Sequence, residues 1–536
     1  MMKNTVFVCL VALMSLLAVT ARAQSCGNDS IYKIPYKNTY VKSTLAADNE
    51  FRTMRPNYME IPTFEQAKKI LPVPIWAGHD KEVEMYWKAW EIGVGNIRNP
   101  QPGSGFVSPY IDTAYNGNIF MWDSAFILMF ARYGERFFPF QKTLDNFYAK
   151  QHPDGFICRE IMANGADCFE RYDPTSTGPN LLPWCEMVYY HQFGDTERLH
   201  KIFPALCGYY EWLRLNRTWR NGTYWTSGWG TGMDNMPRVK SEYNPIYSHG
   251  HMIWLDTNLQ QIFTAGLLLE LGFYTERWQE IETLEDEAKM LKKYVRENLW
   301  DEKTGFLYDQ YADGSLCTTK GIGAFWALHA DVLTDDQLKR LVAELDNPET
   351  FKRPFRVPSL AANHPRYKEN GRYWQGGIWP GTNYMIMRGL MDKGFRKQAR
   401  EIALSHYDQI FQVYKKTGTF YEYYAPEAAE PGFMARDNFI GWTGLAPIAE
   451  FIEFIIGIRG DYPTKTIVWD VNLTEANGIE RYPFGPEGNI SLKAAARRSA
   501  TEKPRIEVDS NIPFKLVVRY GDKEETYQVA AGKSNY

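Results

Sequence analysis

The sequence predicts an all-α chain, an (α/α)6 toroid, with a small C-terminal antiparallel β module, and three observations predict it. Apolar residues recur at helical spacing from residue 81 to about 458, the loops between them fall into a short set and a long set, and beyond Gly460 the period changes to two.

In "KEVEMYWKAWEIGV", Val83, Tyr86, Trp87, Trp90 and Val94 lie near one stripe, and "DSAFILMFARYGERF" at 123–137 is a second apolar helix. Further helices are expected at about 139–150, 180–193, 196–216, 256–272, 275–299, 320–331, 335–346, 380–393, 395–414 and 440–458. Gly, Pro or Asp marks most of the gaps. Twelve helices make six hairpins, which can close into a toroid. A helical solenoid is the competing architecture, but no fixed-length repeat runs through the sequence.

One set of loops is short and charged, as at Asp335-Asp336 and Lys393-Gly394-Phe395. The other is long and rich in Trp, Gly, Asp and Asn, at 100–122, 152–180, 218–255, 360–380 and 415–440. Alternate loops of a hairpin barrel open at the same end, so the long set is expected to form the rim of a pocket. In the C-terminal part "KTIVWDV", "NISLKAA", "RIEVDS", "FKLVVRY" and "ETYQVAA" read as strands, with turns at Gly485-Pro486 and Gly521-Asp522.

The chain thus divides into an export signal at 1–23, an irregular N-terminal arm at 24–75, a catalytic domain at 76–460 and a β module at 461–536. The signal is read from one lysine, an apolar run from Thr5 to about Thr20 and the small-residue cleavage pattern Ala21-Arg22-Ala23, so a periplasmic or secreted location is expected. The run is short for a transmembrane span. Cys26 offers a lipid attachment point, but the Ala-Gln-Ser before it lacks the leucine-led box of such anchors. Of the cysteines left after cleavage, Cys158 and Cys168 are the closest pair in sequence; buried free thiols are the alternative reading.

Composition narrows the ligand. Lys and Arg number 60 against 64 Asp and Glu, so no basic face for nucleic acid is expected, while aromatic residues reach 15%. An aromatic excess on a nearly neutral chain favours a neutral ligand with apolar faces and many hydroxyls, which describes a sugar.

No P-loop, G-x-S-x-G elbow, H-E-x-x-H or thiolate cluster is present. His249 and His251, with Asp256 nearby, could ligate a metal, but no third ligand is obvious at helical spacing, so bonding to backbone or to substrate hydroxyls is the favoured reading; no metal and no cofactor are assigned. Carboxylates remain. Asp234 sits in "SGWGTGMDNMPR", a glycine-flexed apolar loop where desolvation would keep a proton on it; an Asx-turn role is the alternative. Glu422 lies between Tyr421 and Tyr423 in "GTFYEYYAPEAAEPG", where burial of a glutamate is costly, whereas Glu427 and Glu430 read as solvated loop charges. Asp123 in "FMWDSAF" stands where a helix begins, as an N-cap or as a ligand to sugar hydroxyls. Trp122, Trp229, Trp374, Trp379 and Trp442 lie on or beside the long loops, as pyranose-stacking walls or as core.

These motifs together resemble the clan of inverting glycoside hydrolases that contains trehalases and processing α-glucosidase I. "GMDNMPR" is similar to the segment holding that clan's general acid, which implies Asp234 with Asn235 and Arg238 as neighbours. "FMWDSAF" is similar to its W-D-S segment and implies substrate contacts from Trp122 and Asp123. "YWQGGIWPGTNY" resembles its Y-W-R-G-x-x-W-P-x-x-N-Y block, with Trp374, Gln375 and Trp379, and "TFYEYYAP" the segment with its catalytic base, here Glu422 followed by Tyr423. Trp442, from its place beside the long loops, joins the expected substrate contacts together with Asn235 and Arg238. The motifs keep the clan's order across about 110–450. Two positions depart from the pattern: Gln375 stands where an arginine is usual, and Gly230 where a glutamate commonly precedes the acid. The resemblance implies an (α/α)6 barrel and inverting hydrolysis. The expected activity is that of an exported exo-acting hydrolase of α-linked glucosides or related oligosaccharides. A non-catalytic glycan-binding protein, or a sugar lyase or epimerase using His249, His251 or Tyr423, is the alternative.

Overall fold

The computed structural model describes residues 42–113 and 116–536; the expected export signal, Cys26 and the first part of the arm lie outside them. Each expected helix has a counterpart: α1 Asp80–Gly95, α2 Met121–Ala131, α3 Thr143–Ala149, α4 Leu182–Phe193, α5 Thr196–Asn216, α6 Leu255–Tyr274, α7 Thr283–Tyr294, α8 Ala327–Ala330, α9 Asp335–Glu344, α10 Pro380–Asp392 and α11 Arg396–Thr417. A 3-10 turn, Ile322–Trp326, leads into α8, and another, Trp442–Leu445, leads into Ala446–Ile456, which is wound as a wider π-helix.

The order of contacts explains the alternation. α2 packs on α4, α4 on α6, α6 on the 322–330 segment, that segment on α10, α10 on Trp442–Leu445, and Trp442–Leu445 back on α2. This closed ring of six, with the other helices outside it, is consistent with an (α/α)6 toroid. Sequence polarity sorts the two layers. Every residue of α2 and of Ala446–Ile456 is buried, whereas α7 buries only Leu284, Ala288 and Leu291. An element apolar all round belongs inside and an amphipathic one outside. Each large apolar side chain so withdrawn from water contributes about 1.5–3 kcal/mol.

The ring also buries charge. Glu453 accepts from Arg132 at 2.6 Å, from the Tyr133 hydroxyl at 2.9 Å and from the Tyr384 hydroxyl at 3.0 Å, with Arg388 at 3.3 Å. Against the cost of burial, Arg132 and Arg388 hold its carboxyl below the usual range.

The β region differs from expectation in three ways. It recruits the arm: Val73–Trp76 pairs antiparallel with Asn477–Phe484, in a five-stranded sheet that continues through Gly488–Ala494, Ile506–Ser510 and Gly532–Asn535. The four-stranded sheet is mixed, because Phe514–Tyr520 runs parallel to Thr466–Asp470 while Lys523–Val529 and Ile458–Asp461 pair antiparallel at its edges. Its first strand also begins before residue 461, at Ile458. The arm likewise carries short helical turns, Thr44–Ala47 and Phe64–Lys68, in place of an irregular run.

The sheets sit at the C-terminal ends of the inner helices. His191 Nδ1 lies 2.8 Å from Asp461, and the Trp469 indole donates to the Ile456 carbonyl at 2.9 Å. The N-terminal ends of the inner helices and the long loops before them are left facing the other way. A sixth long loop, 300–321, which sequence reading passed over, joins them. Cys158 and Cys168 are both free thiols, the first buried as the alternative reading has it and the second exposed.

Candidate active site

Asp234 reaches its position through a turn that only glycine permits. Trp229–Thr231 forms one 3-10 turn, ended by Gly232 in the left-handed region (φ +72°), and Asp234 follows two residues later. A Cβ on Gly232 would stand 2.3–2.4 Å from the Trp122 ring, so the loop and the tryptophan fit only because glycine is there. Gly230 is as confined: its Cβ would meet Thr226 Oγ1 at 2.1 Å, which leaves no room for the glutamate of the clan pattern. Gly232→Ala is therefore expected to shift Trp122 and to destabilise the fold by about 1–3 kcal/mol, read by near-ultraviolet circular dichroism and thermal unfolding.

The Asp234 carboxyl is half-buried, and its Oδ2 accepts from the Trp229 indole at 2.9 Å and the Tyr373 hydroxyl at 3.1 Å. Burial pushes its pKa up to about 6, while the Arg159 guanidinium and the two hydrogen bonds pull the other way. Met233 and Met236, both 3% exposed, pack from the loop into the buried core.

Glu422 sits on a separate loop, within 415–440. Its N–H donates to the Arg436 carbonyl at 2.9 Å, Tyr421 bridges to Asp437, and Tyr424 bridges to Ile378 and Pro431. The Trp442 indole donates to the Glu422 carbonyl at 2.7 Å. Burial pushes the half-buried Glu422 carboxyl up to about 7; Arg436 lowers it, and the charge on Asp234 raises it further. The two acids are thus near enough to sense each other. Asp123 lies in the first turn of α2 but does not cap it, since the N-cap is Phe120. Burial raises it to about 8, with Glu422 raising and Arg159 lowering it. Three carboxyls are therefore linked by their charges and by Arg159, with their pKa values spread apart.

The aromatic residues form a stack more than an open platform. Trp374 and Trp379 lie parallel at 4.0 Å, Tyr423 stacks on Trp379 at 4.4 Å, and Trp122 and Trp442 close the group edge-on at 6.1 Å. Trp374 and Trp379 are each 1% exposed, so they stand behind the site instead of lining it; Trp229 and Tyr373 are the partly exposed rings beside Asp234. The Tyr423 hydroxyl is spent on the Phe433 carbonyl at 2.6 Å.

Three further residues expected at the substrate are engaged within the protein. Arg238 is buried, with Nε and Nη2 on Asp309 at 2.8 and 2.6 Å and Nη1 and Nη2 on Asp256 at 2.7 and 2.8 Å. Burial disfavours its charge, yet the two carboxylates hold it on. It is a strut beneath the acid loop. Asn235 Oδ1 accepts the Trp374 N–H at 2.9 Å and its carbonyl accepts Gln375 Nε2 at 3.1 Å, so Asn235 and Gln375 tie the acid loop to the 372–379 block. Arg159, which the sequence reading did not single out, is the cation beside both Asp234 and Asp123. It lies over the Phe169 and Trp229 rings at 4.4 and 5.3 Å and donates from Nε to the Thr175 carbonyl.

His249 and His251 pack edge to face at 4.5 Å among Trp219 and Trp225, and Asp256 is taken by Arg238. Among the described residues no group of three His, Cys, Asp or Glu side chains stands ready to hold a metal ion, and no helix is long and apolar enough to cross a membrane.

Residues 116–443 match the family described as the mannosylglycerate hydrolase MGH1-like glycoside hydrolase domain. The chain is 24% identical over 372 residues to the mannosylglycerate hydrolase of Thermus thermophilus, covering 57% of this chain and 88% of that one. It is 24% identical over 281 residues to a probable mannosyl-oligosaccharide glucosidase of Schizosaccharomyces pombe, covering 46% of this chain but only 34% of that protein's length. In fold it is similar to the solved GH63 mannosylglycerate hydrolase of Thermus thermophilus in complex with glucose, with a TM-score of 0.56 at 21% identity over 68% of this chain and 99% of that one. A match over more than half of the chain, joined to a mouth with paired carboxyls, places the protein: it belongs to the MGH1-like glycoside hydrolase family, and its chemistry is glycoside hydrolysis.

Proposed function

We propose that the protein is an exported, inverting, exo-acting hydrolase of α-linked glycosides, with Asp234 as general acid and Glu422 as general base. The observation that carries this reading is the pair itself: two half-buried carboxyls on separate loops, both raised by burial, with the charge on Asp234 raising Glu422 further. Asp234 gives its proton to the glycosidic oxygen, and Glu422 takes one from a water that attacks the anomeric carbon from the opposite face. The helical ring at 76–460 is then the catalytic (α/α)6 domain and the strands beyond it a supporting β module. Export rests on the sequence pattern at 1–23.

Arg159 narrows the substrate. A cation beside the acid suits an aglycone that carries a negative charge, and glycerate, the aglycone in the relatives' mannosylglycerate, is such a group. A panel of trehalose, a glucose-capped α-oligosaccharide, mannosylglycerate and their β-linked counterparts tests this. Turnover of α-linked members, mannosylglycerate foremost, is expected; cleavage of β-linked members alone contradicts the reading.

The pH dependence follows from the pair. Below about pH 6 both carboxyls hold protons and no base is left; above about pH 7 both are ionised and no acid is left. kcat/KM is therefore expected to trace a narrow bell with limbs near those values. Because the value for the acid lies below that for the base, the productive form, Asp234 protonated with Glu422 ionised, is the minority one between the two limbs. A profile that stays flat from pH 5 to pH 8 contradicts the assignment of the pair.

A further inference from the structure

We infer that Trp229 and Tyr373 are positioning residues that confine the transferable proton of Asp234 to Oδ1. The inference rests on Asp234 as the acid. Both donors, the Trp229 indole at 2.9 Å and the Tyr373 hydroxyl at 3.1 Å, end on the same oxygen, Oδ2. An indole N–H can only donate, so Oδ2 must accept from it whatever the protonation state. With a second donor in place, both lone-pair directions of Oδ2 are filled and the acidic proton resides on Oδ1.

The structure holds this arrangement in place against resistance. Tyr373 adopts a left-handed backbone conformation (φ +58°), uncommon for a large side chain. Its carbonyl accepts from Gly377 N–H at 3.0 Å and the Trp379 indole at 3.3 Å, and its ring packs edge-on against Trp379 at 5.0 Å and Tyr423 at 5.6 Å. The buried aromatic stack, which is too enclosed to hold a sugar itself, thereby aims one hydroxyl at the acid. Trp229 is fixed from the other side by the Phe169 ring, edge-on at 5.5 Å, and by Arg159.

In the step, the Oδ1–H bond breaks and its proton goes to the glycosidic oxygen. The bond from that oxygen to the anomeric carbon breaks with its electron pair going to the oxygen, and the departing alcohol is neutral. The charge left on Asp234 spreads onto Oδ2, where two hydrogen bonds become charge-assisted as it grows. They are worth more in the transition state than in the ground state and so speed the step.

The test uses the full-length protein with Tyr373→Phe and Trp229→Phe beside wild type and Asp234→Asn. The probes are mannosylglycerate, methyl α-mannoside and α-glucoside, and the 2,4-dinitrophenyl α-mannoside and α-glucoside, whose leaving group departs without a proton. Each phenylalanine variant is expected to lose kcat about tenfold or more on the alkyl glycosides and mannosylglycerate, and less than about threefold on the dinitrophenyl glycosides. Because hydrogen bonds to a carboxylate favour its ionised form, each variant's pH optimum is expected to move upward; Arg159, Glu422 and Asp123, the charged neighbours of the acid, are unchanged in every comparison. If both variants slow the two probe classes equally with the optimum unmoved, while Asp234→Asn is selective for the unactivated probes, the inference fails and the acid assignment stands. If Asp234→Asn itself cleaves the unactivated probes at the wild-type rate, the acid assignment fails, and the inference with it.

Discussion

Asp234→Asn is expected to lower kcat on an unactivated α-glycoside by about three orders of magnitude, and Glu422→Gln by a similar factor, with the fold intact. General acid or base catalysis by one positioned group supplies about 10²–10⁴-fold, and each amide keeps the shape and an acceptor oxygen of the acid it replaces. The two losses should differ in kind. A dinitrophenyl leaving group needs no proton, so Asp234→Asn should recover most of its rate on such a substrate. Glu422→Gln should not, because the attacking water still needs its base whatever leaves. Steady-state kinetics on the two substrate types check this, with far-ultraviolet circular dichroism to show that both variants are folded. Equal defects on both types would mean that Asp234 acts in binding or structure and not as a proton donor.

The second large effect is on stability. Arg238→Met is expected to destabilise the protein by about 3–5 kcal/mol, because it leaves the carboxyls of Asp256 and Asp309 without the cation that both contact. The loss comes from uncompensated charge, so it should shrink when the charges are removed too: Arg238→Met with Asp256→Asn and Asp309→Asn is expected to recover part of it. Denaturant unfolding measures both. Since Arg238 holds the far end of the loop that carries Asp234, the single variant should also lose activity. A variant as stable as wild type, with weakened substrate binding alone, would restore Arg238 to the substrate contacts that its place beside the acid implied.

That misplacement shows where the sequence stops informing. The helices were legible because an element buried against neighbours writes its period into the chain: α2 is buried on every face and mostly apolar, and α7 carries one stripe. Strands that depend on partners far away wrote less. Val73–Trp76 is four residues long with a proline inside, and it is a strand only because Asn477–Phe484, some 400 residues on, has an edge to offer. Asn477–Phe484 is itself interrupted by a shift in register near Arg481, whose φ is +59°, so no clean alternation marks it.

The site followed the same division. Asp234, Glu422 and Asp123 stood out because a carboxylate among aromatic residues is chemically conspicuous. Arg159 and Tyr373 did not: one is an ordinary cation in a polar loop, and the other became a partner of Asp234 only when two loops more than a hundred residues apart met. Asn235 and Gln375 look the same in sequence whether they bond to a sugar or to each other. Only the fold shows that they hold the two loops together.

The most direct test of the account is the configuration of the sugar when it is first released. Proton nuclear magnetic resonance during hydrolysis of an α-glycoside, recorded before mutarotation, should show the β-anomer appearing first, as a single displacement by water activated at Glu422 requires. The α-anomer appearing first would mean two displacements through a covalent intermediate, and would contradict Glu422 as a base acting through water.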